Sequence, residues 1–180
     1  MLRFFILFVV ILLTLFAVEV TPPVNRALVV PWTEALVRIS AGLITLFDSH
    51  VAVFGDILQS TTNGFGLAIK AGCNGVEAAM ILIAAMLAFP APWKYRVIGI
   101  VAGLTAVQLL NIVRVISLFY LGQWSMRVFE WAHFYVWQAL IMLDVLVVWM
   151  IWIRSLPRRP ATIAPPAPPP DAGAQPATAP

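Results

Sequence analysis

The chain has 180 residues, of which 62% are hydrophobic and only 11% charged, and its formal net charge is +3. With a mean hydropathy of +0.94, this is too apolar for an ordinary soluble domain, and the length allows one small bundle. The composition defines a polytopic membrane protein, and the modest positive charge reads as a topology signal, not as a nucleic-acid footprint.

A membrane span needs roughly 20 mainly apolar residues at about 1.5 Å rise each. The first qualifying run is Phe4 to Val20. One basic residue, Arg3, precedes it, as in a secretory signal, but Val18 and Glu19 stand where a cleavage site needs small residues, so the run is read as a retained span. Residues 21 to 72 begin and end on one side and cross an even number of times, most simply zero. Pro31 can open a helix as its first residue, and Trp32 to Phe47 follows with Glu34 and Arg38 paired at i, i+4. It reads as an amphipathic helix on the outer interface. Two β-favouring runs, Val51 to Leu58 and Phe65 to Ile69, flank an Asn63-Gly64 turn and predict a small β-hairpin cap.

Three further runs complete the set of spans: Cys73 to Phe89, Val97 to Leu121 and Ala132 to Ile153. The expected fold is an all-α membrane protein of about four transmembrane helices, with the amphipathic helix and the hairpin cap on its outer face. Arg3, Lys94, Arg96, Arg154, Arg158 and Arg159 flank one side of this arrangement. On the other side Arg26, Arg38, Lys70 and Arg127 mix with Glu19, Glu34, Asp48, Asp56 and Glu130. The positive-inside bias then predicts both termini in the cytoplasm. From residue 155 the character changes, since nine of the fourteen prolines fall between Pro157 and Pro180. That composition cannot build a packed core, which divides the chain into a membrane-embedded part, 1–154, and a disordered Pro-rich cytoplasmic tail, 155–180.

The candidate chemistry gathers at one face. Cys73, the only cysteine, and His133 open spans that run inward. Arg114 lies 17 residues after Val97 on an outward span, about 26 Å of rise, close to the outer boundary of a core roughly 30 Å thick. A thiol in the first helical turn meets the positive end of the dipole, which favours the thiolate, and Gly72 and Gly75 permit close backbone approach. A small buried hydrophobe or an acylation site are the competing readings of a lone cysteine. Arg114 either faces the bundle interior or snorkels to the headgroups, and Asn111, three residues earlier, shares its face. His133 has an acid/base pKa near neutrality but also sits among interfacial aromatics; Glu130, three residues earlier, either orients it or, the preferred reading, is merely solvated, and His50 is the rival base. Glu77, one turn below Cys73, either pairs with Arg114 or supports the site. Asp144 lies about 16 Å deeper than His133 and reads as a structural polar contact. One cysteine and two histidines with scattered carboxylates give no metal-ligand spacing, and no cofactor motif is present.

The motifs Ala71-Gly72-Cys73-Asn74-Gly75 and Asn111-Ile112-Val113-Arg114-Val115, together with His133, resemble the exosortase/archaeosortase family of membrane-embedded, transpeptidase-like cysteine proteases. Phe119-Tyr120-Leu121-Gly122-Gln123-Trp124 with Phe129-Glu130-Trp131-Ala132-His133 is most similar to the exosortase H branch. The similarity runs over roughly residues 1–154. Many members carry serine where Asn74 stands. The resemblance implies Cys73, Arg114 and His133 as catalytic residues, with Asn111, Glu77 and Asn74 in support. It also implies substrates that are exported proteins ending in a PEP-CTERM-like signal, with a short motif, a membrane helix and a basic end. Processing would take place beside membrane lipids at the outer face of a bacterial inner membrane. A non-catalytic assembly factor or lipid-binding scaffold is the alternative; a small transporter fits less well, because the polar groups lie at one surface.

Overall fold

In the computed structural model, residues 2–157 are described, and they form five helices and one small sheet. Helix α1 is Leu2–Glu19 and α2 is Pro22–Ile44. The strands are β1 (Val51–Phe54), β2 (Ile57–Ser60) and β3 (Gly66–Ala68). Helices α3 (Val76–Ala88), α4 (Trp93–Trp124) and α5 (Met126–Ser155) follow. The Pro-rich segment lies, from residue 158 on, outside the described residues.

The four long helices α1, α2, α4 and α5 are long and apolar enough to cross a membrane, whereas α3 has only 13 residues. This revises the expected spans in two places. The run from Cys73 is shortened because residues 72–75 form a turn in which Gly72 and Gly75 take φ of 83° and 75°, so the helix starts only at Val76. In place of a helix opening at Pro31, α2 starts at Pro22, whose missing N–H is no loss at that position. It then runs through Pro31 by widening into a π turn over Asn25–Val29. Such a bulge is one way a helix accommodates a residue that cannot donate to its ladder.

The packing is antiparallel. Phe4 at the start of α1 meets the rings of Phe89 and Trp149 with centroids 6.2 and 6.1 Å apart. Trp152 Nε1 donates to the Tyr95 carbonyl at 2.8 Å, and Arg96 Nη2 to the Phe89 carbonyl at 2.9 Å. The start of α1, end of α3, start of α4 and end of α5 therefore share one end of the bundle, and Arg3, Lys94, Arg96 and Arg154 flank it. Near this end an inner core packs Leu82, Met86, Val107, Val145 and Trp152. Gly99 admits the Trp152 indole against α4; an added Cβ would overlap the ring.

At the opposite end the long α4 extends well past the 13-residue α3. Its 32 residues span about 48 Å, against a hydrocarbon thickness of roughly 30 Å. This part carries Val115, Leu118 and Phe119, which form an outer core with Leu36, Val37 and Ile44 of α2, Leu58 and Leu67 of the sheet, and Ile69 just after it. No residue of α2 enters the inner core, so α2 packs as a helix of this end, and its Glu34–Arg38 pair closes at 3.3 Å on the exposed side. The cap is a three-stranded antiparallel meander, one strand more than a hairpin. The extra strand arises because Gly55, at φ 60°, turns the first β-favouring run back on itself. The Asn63-Gly64 turn then links β2 to β3, with the Asn63 carboxamide accepting from the Phe65 N–H at 3.0 Å.

Candidate active site

Cys73 is presented by a turn held from three sides. Glu77 accepts the Gly72 N–H. Asn74, fully buried, donates from Nδ2 to Thr33 Oγ1 at 3.0 Å, accepts the Val76 N–H at 3.1 Å, and offers its carbonyl to Trp32 Nε1 at 3.3 Å. Gln108 Nε2 donates to the Gly75 carbonyl at 3.3 Å. Gly75 is the one residue that fits this place. Its φ is left-handed, and a Cβ would lie 2.9 Å from the Gln108 amide and 3.1 Å from Asn111 Nδ2.

The thiol meets both partners named from the sequence. Arg114 Nη2 donates to Cys73 Sγ at 3.5 Å, and His133 Nε2 lies 3.7 Å from the same sulfur. The three line a cavity of about 20 Å³ with Leu67, Ala68, Ile69, Val115 and Leu118, a space for about one water molecule. Arg114 is 3% exposed, so it does not snorkel to the headgroups. The ion pairs among the described residues are Arg38–Glu34, His50–Asp48 and Lys70–Asp56; the Arg114 guanidinium has no carboxylate against it. His133 stands in a π turn of α5, Ala132–Val136, which re-aims the ring out of regular helical register. Phe129 stacks on the imidazole at 5.6 Å and 4°, and Phe134 meets it edge-on at 4.9 Å.

The structure decides between several open readings and corrects others. Cys73 precedes the first residue of α3 by three positions, so the expected thiolate-favouring helix terminus does not dominate. Burial pushes the Cys73 thiol above its ordinary value and the Glu77 carboxylate adds to this, while Arg114 opposes both. Glu77 supports the turn through Gly72 and makes no ion pair with Arg114. His50 binds Asp48 at 3.2 Å in the cap and is absent from the Cys73 cavity; Glu130 is exposed. Asn111 is fully buried with both amide atoms unpaired, and one Asp144 carboxylate oxygen is likewise buried and unpaired. The structural contact expected for Asp144 is therefore not made within the described residues. Trp32, Thr33 and Gln108 are site neighbours the sequence reading passed over, and Phe129, quoted there only as part of a motif, packs on His133. Gln108 carried a signal, since Gln108, Asn111 and Arg114 repeat every third residue along one helix face. Trp32 and Thr33 carried none, because their role depends on α2 packing against the turn.

No group of three or more potential ligands among the described residues is arranged to hold a metal ion. Taken together, the helices and the buried thiol–guanidinium–imidazole contact define a multi-pass membrane protein with a cysteine-centred site. The chain matches the family model for transmembrane exosortases over residues 2–150 and belongs to that family, in agreement with the resemblance of its motifs. Membership supports a membrane transpeptidase-like role. No curated protein and no solved structure matches the chain.

Proposed function

We propose that the protein is a cysteine peptidase/transpeptidase that cleaves the C-terminal, PEP-CTERM-like sorting signal of exported proteins at the outer face of the bacterial inner membrane, with both its own termini in the cytoplasm. The observation that carries this reading is the contact of one sulfur with both a buried guanidinium and an imidazole, at 3.5 and 3.7 Å. An unpaired buried charge costs several kcal/mol, and such residues inside membrane proteins mark function. Here the charge faces the only thiol in the chain.

In the proposed cycle the Cys73 thiol passes its proton to His133 as the sulfur attacks the substrate carbonyl. Arg114 stabilises the tetrahedral oxyanion, where a charged donor in a water-poor site is most effective. The intermediate collapses by breaking the C–N bond, and the leaving amine takes the proton from His133. The resulting thioester is then released by water or by an amine acceptor. Asn74, Glu77 and Asn111 support this centre by holding or backing the turn that carries the nucleophile. The substrate's membrane helix docks beside the bundle, leaving its motif at the site end and its basic end at the other.

The test is processing of an exported, C-terminally tagged protein in cells carrying wild-type or variant chains. Cys73→Ala is expected to abolish processing with unchanged protein level and membrane insertion. Wild-type cleavage by that variant would refute the reading and favour a non-catalytic scaffold.

A further inference from the structure

The sheet order β1-β2-β3 makes β3 an edge strand. The Ser60 N–H donates to the Phe65 carbonyl at 2.8 Å, and the Ile69 N–H to the Asp56 carbonyl at 2.9 Å. Alternate residues of an antiparallel strand face their partner, so residues 65, 67 and 69 use their backbone groups on β2. Gly66 and Ala68, opposite Gln59 and Ile57, turn their N–H and C=O groups away from it. Both are exposed, while Leu67 between them is buried in the outer core.

Both edge strands pack on a helix, β1 on α2 and β3 on α4. The β3 edge has no strand beyond it among the described residues, and Gly66-Leu67-Ala68 carries none of the charges or prolines with which sheets ordinarily guard an edge. Ala68 also lines the same small cavity as Cys73, Arg114 and His133. The unguarded backbone therefore ends at the reactive sulfur.

We propose that an extended segment of the substrate polypeptide adds to β3 as a fourth strand, its main chain pairing with Gly66 and Ala68 so that a neighbouring peptide carbonyl arrives over Cys73. This rests on the peptidase reading above and adds how the substrate is held. Strand addition binds through the main chain, with specificity left to pockets for alternate side chains. Each strand residue advances about 3.3 Å, and Ala68 borders the same small cavity as the sulfur. The cavity of about 20 Å³ is too small for a whole peptide, so only the reacting carbonyl enters it while the rest of the segment lies along the exposed edge.

Proline at an edge position whose N–H points outward removes that donor without breaking the ladder behind it. Ala68→Pro is therefore compared with Ala68→Val, which keeps the N–H, using two readouts: processing of the tagged exported protein, and alkylation of Cys73 by iodoacetamide in the membrane-inserted chain. Ala68→Pro is expected to process about five- to tenfold more slowly than Ala68→Val, the worth of one net hydrogen bond, with the same alkylation rate in both variants. Processing by an intact Ala68→Pro at the Ala68→Val rate overturns the proposal. If alkylation shows that the proline variant has lost its site, a series of synthetic peptides covering the cleavage segment, each N-methylated at one successive residue, decides on the wild-type protein. Inhibition of cleavage that alternates residue by residue supports strand addition, and any non-alternating pattern overturns it. Failure of the peptidase reading itself appears separately, as processing that does not depend on Cys73.

Discussion

Arg114 and Glu77 act on the Cys73 thiol with opposite signs, and this can be measured. Burial raises the thiol's pKa, Arg114 lowers it and Glu77 raises it, so the resting sulfur is protonated at neutral pH and its alkylation rate climbs as pH rises past the ordinary thiol range. Arg114→Gln removes the charge that favours the thiolate and shifts the alkylation midpoint upward. Glu77→Gln keeps an oxygen for the Gly72 N–H but removes the negative charge, shifting the midpoint downward. Iodoacetamide labelling against pH reads both, and shifts of the same sign would contradict the assignment. At the same scale, Phe129→Ala strips the stacked face from His133. Since the imidazole Nδ1 is buried without a partner among the described residues, ring packing orients the base, and processing is expected to fall by a sizeable part of the roughly 10²–10⁴-fold that a positioned general base contributes.

The elements explain why the turn is rigid. Thr33 and Trp32 of α2, Gln108 of α4 and Glu77 of α3 hold residues 72–75 from different directions. Gly75→Ala forces a side chain into a left-handed backbone and against two carboxamides, at a cost of about 1–3 kcal/mol for the backbone alone, and is expected to lower thermal stability and activity together. Thr33→Val keeps the shape but leaves Asn74 Nδ2 without its acceptor, costing about 1–3 kcal/mol; thermal unfolding in detergent checks both. Wild-type melting by either variant would contradict the clamp. This scale also separates what could be read in the chain from what could not. The three long apolar runs that became α1, α4 and α5, the Glu34–Arg38 pair and the Asn63-Gly64 turn each rest on local spacing, and each was readable. The π turns at Asn25–Val29 and Ala132–Val136 depend on how a helix meets its neighbours, which periodicity does not carry. The added strand hid because Gly55-Asp56 interrupts a run that reads as continuous.

For the whole molecule, the antiparallel arrangement gathers Cys73, Arg114 and His133 at one end and the basic flanks at the other. Spacing along three separate segments was enough to anticipate the first grouping, because depth in a membrane follows from residue count and direction. The lateral contacts that complete the site, such as Trp32 on the Asn74 carbonyl, were not legible, since nothing local links residues forty positions apart. The same arrangement predicts a sidedness: a cysteine introduced at exposed Trp124 in a Cys73→Ala chain is labelled from outside intact cells by an impermeant maleimide, whereas one at exposed Trp93 is labelled only after lysis. The reverse pattern would turn the proposed orientation over.

In the proposed cycle Cys73 carries the acyl half of the substrate. Mass spectrometry of the protein, acid-quenched during turnover of its exported substrate, is expected to show an acyl adduct on Cys73 that hydroxylamine removes. The adduct should be absent from Cys73→Ala and strongly reduced in Arg114→Gln. Substrate cleavage proceeding with no adduct on Cys73, and at an undiminished rate in Cys73→Ala, would contradict the account.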